Sequence, residues 1–302
     1  MGTPDFAVRP LEMLLGAGVE VSAVITAPDQ KKGRGKKLAP PPVKEAALRL
    51  GLNVLQPVSV RPPEFLEELK RLAPDFLVVV AYGRILPKEV LAAPKYLAVN
   101  IHPSLLPKYR GPAPLNWAIV NGDDISGVTV MAMDAGVDTG GIILQEESPV
   151  LPEDTAESLG KRLSEEGGRL LVEALNGVYE GSLEPRPQEG EPCFAPMLKK
   201  DDGRIKWNES AAAIERLVRG MHPWPGAFTF LGASRIKVLQ ASLGPETCEL
   251  PGTVLESPQD TLLLATGSGS IYLTRLQGAS GKILPASDFL RGHPVPKGSV
   301  FS

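Results

Sequence analysis

The chain has 302 residues, 43% hydrophobic and 22% charged, with a formal net charge of −3, so length points to about two domains and composition to an ordinary globular protein with material for a core. No apolar run approaches the ~18 residues of a membrane span. Met1-Gly2-Thr3-Pro4-Asp5-Phe6 shows neither the basic and apolar regions of a secretory signal nor the Ser or Thr of a myristoylation site at position 6. Cys193 and Cys248 are too few for a disulfide framework and wrongly spaced for a metal cluster, which makes a cytosolic compartment the expectation.

In chain order, a helix begins near Phe6 and is followed by an apolar strand at 19–25. Helices are predicted at 43–50, stopped by Gly51, and at 62–72. Asp75 to Ala81 is apolar on both faces, as a central parallel strand covered by helices would be. Tyr96 to His102 is a further strand, stopped by Pro103, then strands at 128–133 and 141–147, and a long helix at 155–178. This alternation predicts an α/β, Rossmann-like domain with a mostly parallel sheet. Gly181 to Pro192 is rich in Gly, Pro and Glu and reads as a surface connection. After a helix at 210–219 come short β runs at 227–230, 235–243, 252–256, 261–265 and 270–276. That pattern predicts a small C-terminal β-barrel of the OB type. The domain boundaries drawn from this are 1–180, a linker over 181–204, and 205–302.

The charge is unevenly spread. Residues 205–302 hold nine Lys/Arg against seven Asp/Glu, a net of +2, which leaves −5 on the rest. Within that acidic part, Lys31, Lys32, Arg34, Lys36 and Lys37 put five basic side chains in seven residues. Read alone, such a run is a solvated surface segment; its glycines and lack of acids also suit an arm that reaches a phosphate backbone. Asn100 and His102, two apart on a predicted strand, project to one face at its C-terminal end, where open α/β sheets bind ligands. An isolated Asn-x-His of this kind most often only finishes a strand. Asp138, between glycines after a later strand, is at the same kind of edge, which allows the three polar groups to converge.

Asn100-x-His102-x-Ser104-Leu105-Leu106-Pro107, with Asp138-Thr139-Gly140 downstream, resembles the formyltransferase family that uses 10-formyltetrahydrofolate. Three further segments extend the resemblance over essentially the whole chain: Gly2-Thr3-Pro4-Asp5-Phe6-Ala7-Val8, Gly33-Arg34-Gly35-Lys36-Lys37-Leu38 and Pro223-Trp224-Pro225-Gly226-Ala227. It implies transfer of the formyl group of 10-formyltetrahydrofolate, as co-substrate and with no metal, to the α-amino group of an initiator methionyl-tRNA. It also implies contact of the basic loop with the tRNA acceptor stem; a monomer with no membrane partner is the further expectation. By position it implies a catalytic trio of Asn100, His102 and Asp138. Folate is expected against Arg84, Ile85, Leu86, Ser104, Leu105, Leu106, Pro107 and Val137, in a largely apolar cleft.

The chemistry suits these residue types. The Asn100 amide and a protonated His102 would donate hydrogen bonds to the tetrahedral oxyanion. Asp138 would favour the charged imidazole and help carry the amine's proton. Departures from the family pattern, at Pro112, Val137 and Lys206, leave the trio untouched. Trp207, Trp224 and Phe228 are offered as core or domain-junction residues before stacking platforms. Two rival readings are a formyltransferase acting on a nucleotide-sugar amine, which has no use for a basic arm, and a tRNA-binding protein with a dead catalytic fold, against which the intact trio counts. A glycinamide ribonucleotide formyltransferase would leave the last hundred residues unexplained. Because the family usually carries a short apolar strand just before Met-Gly-Thr-Pro, the first strand is expected to be missing from this sequence and the native chain to be about five residues longer.

Overall fold

A computed structural model describes residues 1–32, 37–258 and 261–302. It divides into two compact units: Met1–Pro114, Ile125–Pro149 and Gly160–Ala195 form the first, and Leu115–Asp124, Val150–Leu159 and Pro196–Ser302 form the second. Residues 181–195 thus belong with the first unit and 196–204 with the second.

The first unit opens with α1 (Val8–Gly16), β1 (Val24–Ile25), a hairpin of β2 (Gln30–Lys32) and β3 (Lys37–Ala39), α2 (Pro42–Arg49) and β4 (Val54–Leu55). Then come α3 (Pro63–Leu72), β5 (Phe76–Val79), α4 (Lys88–Leu91) and β6 (Leu97–His102). After α5 (Pro114–Asn121), most of which falls in the second unit, the first continues with β7 (Ile125–Ala132), β8 (Ile142–Pro149) and α6 (Ala156–Glu180). Prolines start α2 and α3 at their first turns, where a missing N–H costs nothing. The β1–β4 and β5–β6 pairs are parallel, whereas β7 and β8 join antiparallel.

Met1 and Gly2 lie at the central position expected of a first strand. Gly2 N donates to Ile25 O (3.0 Å) and Val80 N to Met1 O (2.8 Å). A cavity of 560 Å³ adjoins them, lined by residues that include Val19, Val21, Val24, Phe76, Val78 and Tyr179.

Alternation along the strands builds two cores. Val99 and Ile101 pack with Leu11, Val43 and Leu171 of α1, α2 and α6. Ala98, with Leu77 and Val79, packs with Phe65, Leu69 and Val90 of α3 and α4. Helices thus cover both faces, as the apolar run of β5 predicts. The Gly167-Gly168 pair inside α6 has a packing reason: a Cβ on Gly167 would stand 2.8 Å from Ile101 and 2.9 Å from Val128.

The second unit contains α7 (Ala211–Gly220), capped by Ser210 accepting from Ala213 N, and β9 (Ala227–Leu231), β10 (Ser234–Leu243), β11 (Leu262–Ala265), β12 (Ser270–Gln277), β13 (Ile283–Pro285) and α8 (Ala286–Gly292). The sheet is antiparallel, in the order β11-β12-β10-β9, with β13 also on β12. Its two edges are joined by single bridges, Val254↔Leu264, Thr253↔Val300 and Leu231↔Phe301, which close the barrel. The run expected as a strand at 252–256 is present only as those bridges. Trp207 and Phe228 are buried, Trp207 donating to Thr229 Oγ1, while Trp224 is half exposed. No helix among the described residues is long and apolar enough to cross a membrane.

Candidate active site

Strand β6 carries its polar pair on the face opposite Val99 and Ile101. Its antiparallel register with β7 sets Asn100 against Met131 and His102 against Thr129. Immediately after Pro103 the chain turns, Ser104 N donating to His102 O (2.9 Å). His102 is buried, at 4% exposure. Its Nε2 lies 2.9 Å from the Tyr109 carbonyl. A carbonyl only accepts, so Nε2 holds the proton. Nδ1 then faces Asp138 Oδ2 at 3.6 Å.

Burial pushes His102 below its ordinary 6.5, against the pull of the Asp138 carboxylate and, after it, the Tyr109 hydrogen bond. Burial thus favours the neutral imidazole, with a lone pair on Nδ1 beside a carboxylate, over the protonated form expected from the residues alone. Such a pair is a base, not an oxyanion donor. It can take up one proton and hold it as an imidazolium next to Asp138. The Asn100 amide makes no side-chain hydrogen bond among the described residues, so its N–H groups are free to meet a developing oxyanion.

Asp138 sits in a left-handed backbone conformation, φ 53°, which Asp and Asn tolerate better than most side chains. Its Oδ2 accepts from Gly111 N at 2.8 Å. Gly111 has φ 120°, and a Cβ there would stand 2.6 Å from the Ala195 carbonyl. The close approach is a backbone bridge: Arg110 N donates to Cys193 O (2.9 Å) and Ala195 N to Arg110 O (2.8 Å). Tyr109 N also donates to Cys193 Sγ (3.1 Å). Further back along the same segment, Arg186 exchanges two hydrogen bonds with Ile142. Gln188 lies between, with its side chain on both Arg110 and the Asp138 loop. The stretch that reads as a surface connection is thus pinned along the loops of the site.

Ser104 to Pro107 is held from below. Thr129, fully buried, donates through Oγ1 to Ser104 O (2.6 Å), and Gln145 Nε2 donates to Thr129 Oγ1 (2.8 Å) and Leu106 O (3.0 Å). The Ser104 hydroxyl donates to Lys108 O (2.6 Å) and Leu106 is buried, so those two side chains shape the loop from inside. Arg84 donates to Pro57 O (3.0 Å) and Val58 O (2.8 Å). Leu86 is buried, whereas Ile85 and Val137 are exposed at 75% and 60% and offer apolar surface.

Lys31 is exposed on the β2–β3 hairpin, whose root is tied by Lys44 and Gln56 to Asp29. Arg34 and Lys36 lie outside the described residues, as do the side chains of Lys32 and Lys37. Sequence reasoning missed Thr129, Gln145, Gln188 and the bridge at 193–195. Thr129 had a faint signal, a polar residue in an otherwise apolar run; Gln188 had none. No group of three or more His, Cys, Asp or Glu among the described residues could hold a metal ion.

Known proteins resemble this chain over most of its length. Residues 2–175 match the family described as formyl transferase, and residues 197–294 match its C-terminal domain. A methionyl-tRNA formyltransferase of Trichlorobacter lovleyi is 46% identical over 301 residues, 99% of this chain and 95% of its own length. One of Geotalea uraniireducens is 47% identical over 302 residues, 99% of this chain and 96% of its own. Among solved structures, the N-formyltransferase of Helicobacter canadensis, in complex with folinic acid and dTDP-3-aminofucose, superposes with a TM-score of 0.69 at 22% identity, covering 90% of this chain and 96% of that one. That likeness establishes the fold.

Proposed function

The chain belongs to the formyltransferase family, and from that premise we propose that it transfers the formyl group of 10-formyltetrahydrofolate to the α-amino group of an initiator methionyl-tRNA, as a cytosolic monomer. The observation that carries this reading is the buried His102 facing Asp138 at 3.6 Å, at the end of the strand that also presents Asn100. The folate co-substrate supplies an electrophilic formyl carbon with N10 as its leaving group. Asn100 donates to the formyl oxygen as negative charge builds there, a contact worth roughly 10²–10³ in rate in comparable sites. The His102–Asp138 pair takes the proton that the amine must lose and returns it as N10 departs. In this proposal Ile85 and Val137 offer apolar surface to the folate, beside the Ser104–Pro107 loop.

A polyanionic acceptor is supported by the basic run at 31–37. In the barrel, Arg235 lies over the Phe228 ring at 3.7 Å and Arg204 over Phe230 at 5.6 Å, adding fixed positive charge. The test is incubation with 10-formyltetrahydrofolate and either methionyl-tRNA or a nucleotide-linked amino sugar, followed by mass analysis of each acceptor. Formylated methionyl-tRNA alone is the expected result; a formylated sugar with unmodified tRNA overturns it. Replacing Arg34, Lys36 and Lys37 with Ala should then raise KM for tRNA and flatten its salt dependence, since each phosphate contact releases counterions.

A further inference from the structure

We propose that Gln188 is a positioning residue for the Asp138 carboxylate, acting through the backbone of the 138–140 loop; the catalytic part of this rests on the formyl-transfer reading above. The side-chain amide is fully used. Its Nε2 donates to Asp138 O and Gly140 O, both at 2.8 Å. Its Oε1 accepts from Arg110 Nε (3.1 Å) and Nη2 (2.7 Å). This orientation is fixed by chemistry: a guanidinium only donates and a carbonyl only accepts, so a flipped amide would lose all four bonds.

The arrangement brackets one catalytic contact from both ends. Gly111 N donates to Asp138 Oδ2; Arg110 precedes the donor, and the Asp138 carbonyl belongs to the acceptor. Gln188 therefore fixes the spacing between the loop that gives the hydrogen bond and the loop that receives it. Within the Asp138 loop, Asp134 Oδ1 accepts from Gly136 N (3.0 Å) and Thr139 Oγ1 (2.7 Å). Those bonds close the loop on itself. Besides the Asp138 carboxylate, the carbonyls of Asp138 and Gly140 bonded to Gln188 are its outward hydrogen-bonding ties among the described residues, and they help hold Asp138 at φ 53°, a sparsely populated conformation even for Asp.

The test separates the two halves of the amide. Gln188→Glu keeps an acceptor for Arg110 but removes both donors to the loop carbonyls; Gln188→Ala removes everything. Two readouts are needed: amide hydrogen exchange of Gly111, followed by NMR, and steady-state formyl transfer to methionyl-tRNA. In both variants the Gly111 amide should exchange at least about ten-fold faster while β6 amides keep their protection. The kcat should fall about ten-fold with KM for both substrates unchanged, and fall no further when Gln188→Ala is added to Asp138→Asn. Unchanged Gly111 exchange in Gln188→Glu overturns the proposal, as does a kcat loss that adds in full to that of Asp138→Asn. A wild-type protein inactive on methionyl-tRNA overturns the reading of function instead, while the exchange rates still decide whether Gln188 holds the loop.

Discussion

Strand β6 and the segment 186–195 serve the same site by different physics. β6 is paired on both sides, to β5 and β7, so the direction and depth of Asn100 and His102 are set by register. A one-residue slip would turn both into the core. The 186–195 segment has no ladder and holds the loops by separate hydrogen bonds, each worth only about 0.5–1.5 kcal/mol net. The difference teaches that Asn100 and His102 are held by cooperative structure, while the carboxylate opposite is held by a sum of small, individually removable contacts. Variants on the two sides should fail differently.

The largest effect is expected at the contact where the two sides meet. Asp138→Asn keeps a residue suited to φ 53° and an acceptor for Gly111 N, but removes the charge beside His102. Folding should be unchanged and kcat should drop by about 10²–10⁴; a single-turnover assay with methionyl-tRNA checks it, and an unchanged rate takes Asp138 out of the mechanism. Gly111→Ala tests the loosely tied side, because its Cβ would strike the Ala195 carbonyl and its φ is unsuited to an L side chain. The strain costs on the order of 1–3 kcal/mol, read as a lower denaturation midpoint, with a kcat loss smaller than that of Asp138→Asn.

On the sheet side, Thr129→Val leaves the Gln145 amide without one partner and the Ser104 carbonyl without another. It should cost about 1–3 kcal/mol in urea unfolding. The β6 register should survive, seen as intact exchange protection of Ile101. The buried imidazole gives a pH test of the same side. Because burial depresses His102 in the folded state, its contribution to stability is present above 6.5, its ordinary value, and is lost as pH falls through the folded value. Wild type should therefore lose stability below about pH 6.5 relative to His102→Asn; parallel pH profiles of the two midpoints would contradict the burial argument. The smallest effect belongs to Phe194→Ala. That side chain is exposed and the bridge beside it is backbone, so stability and kcat should stay within about 0.5 kcal/mol of wild type.

The same contrast explains what could be read from the sequence. β6 was legible because a two-residue alternation ending at a proline places Asn100 and His102 without further information. The helices over both faces followed from the apolar run of β5, and the barrel from closely spaced short strands. The strand expected over 19–25 is only Val24–Ile25, because ladder pairing depends on a neighbour and not on apolar content. The short elements β4, β13 and α4 carry too few residues for any period. The charge state of His102 is not legible for a related reason: it depends on burial, on the Asp138 carboxylate and on the Tyr109 carbonyl, which arrives through a backbone turn at φ 60°. Gln188 was invisible, since nothing local distinguishes a glutamine in coil that ties two loops from one that meets water.

Barrel closure by single bridges has a consequence for behaviour in crowded solution. An open antiparallel sheet offers two rows of unpaired backbone groups to other chains. Here the edges at β11 and β9 are covered by 253–254 and 300–301. Beyond their hydrogen bonds and the buried Phe301, these bridges remove the template for strand-to-strand recruitment. A change that frees Phe301 from its buried seat would thus show as turbidity that grows with protein concentration.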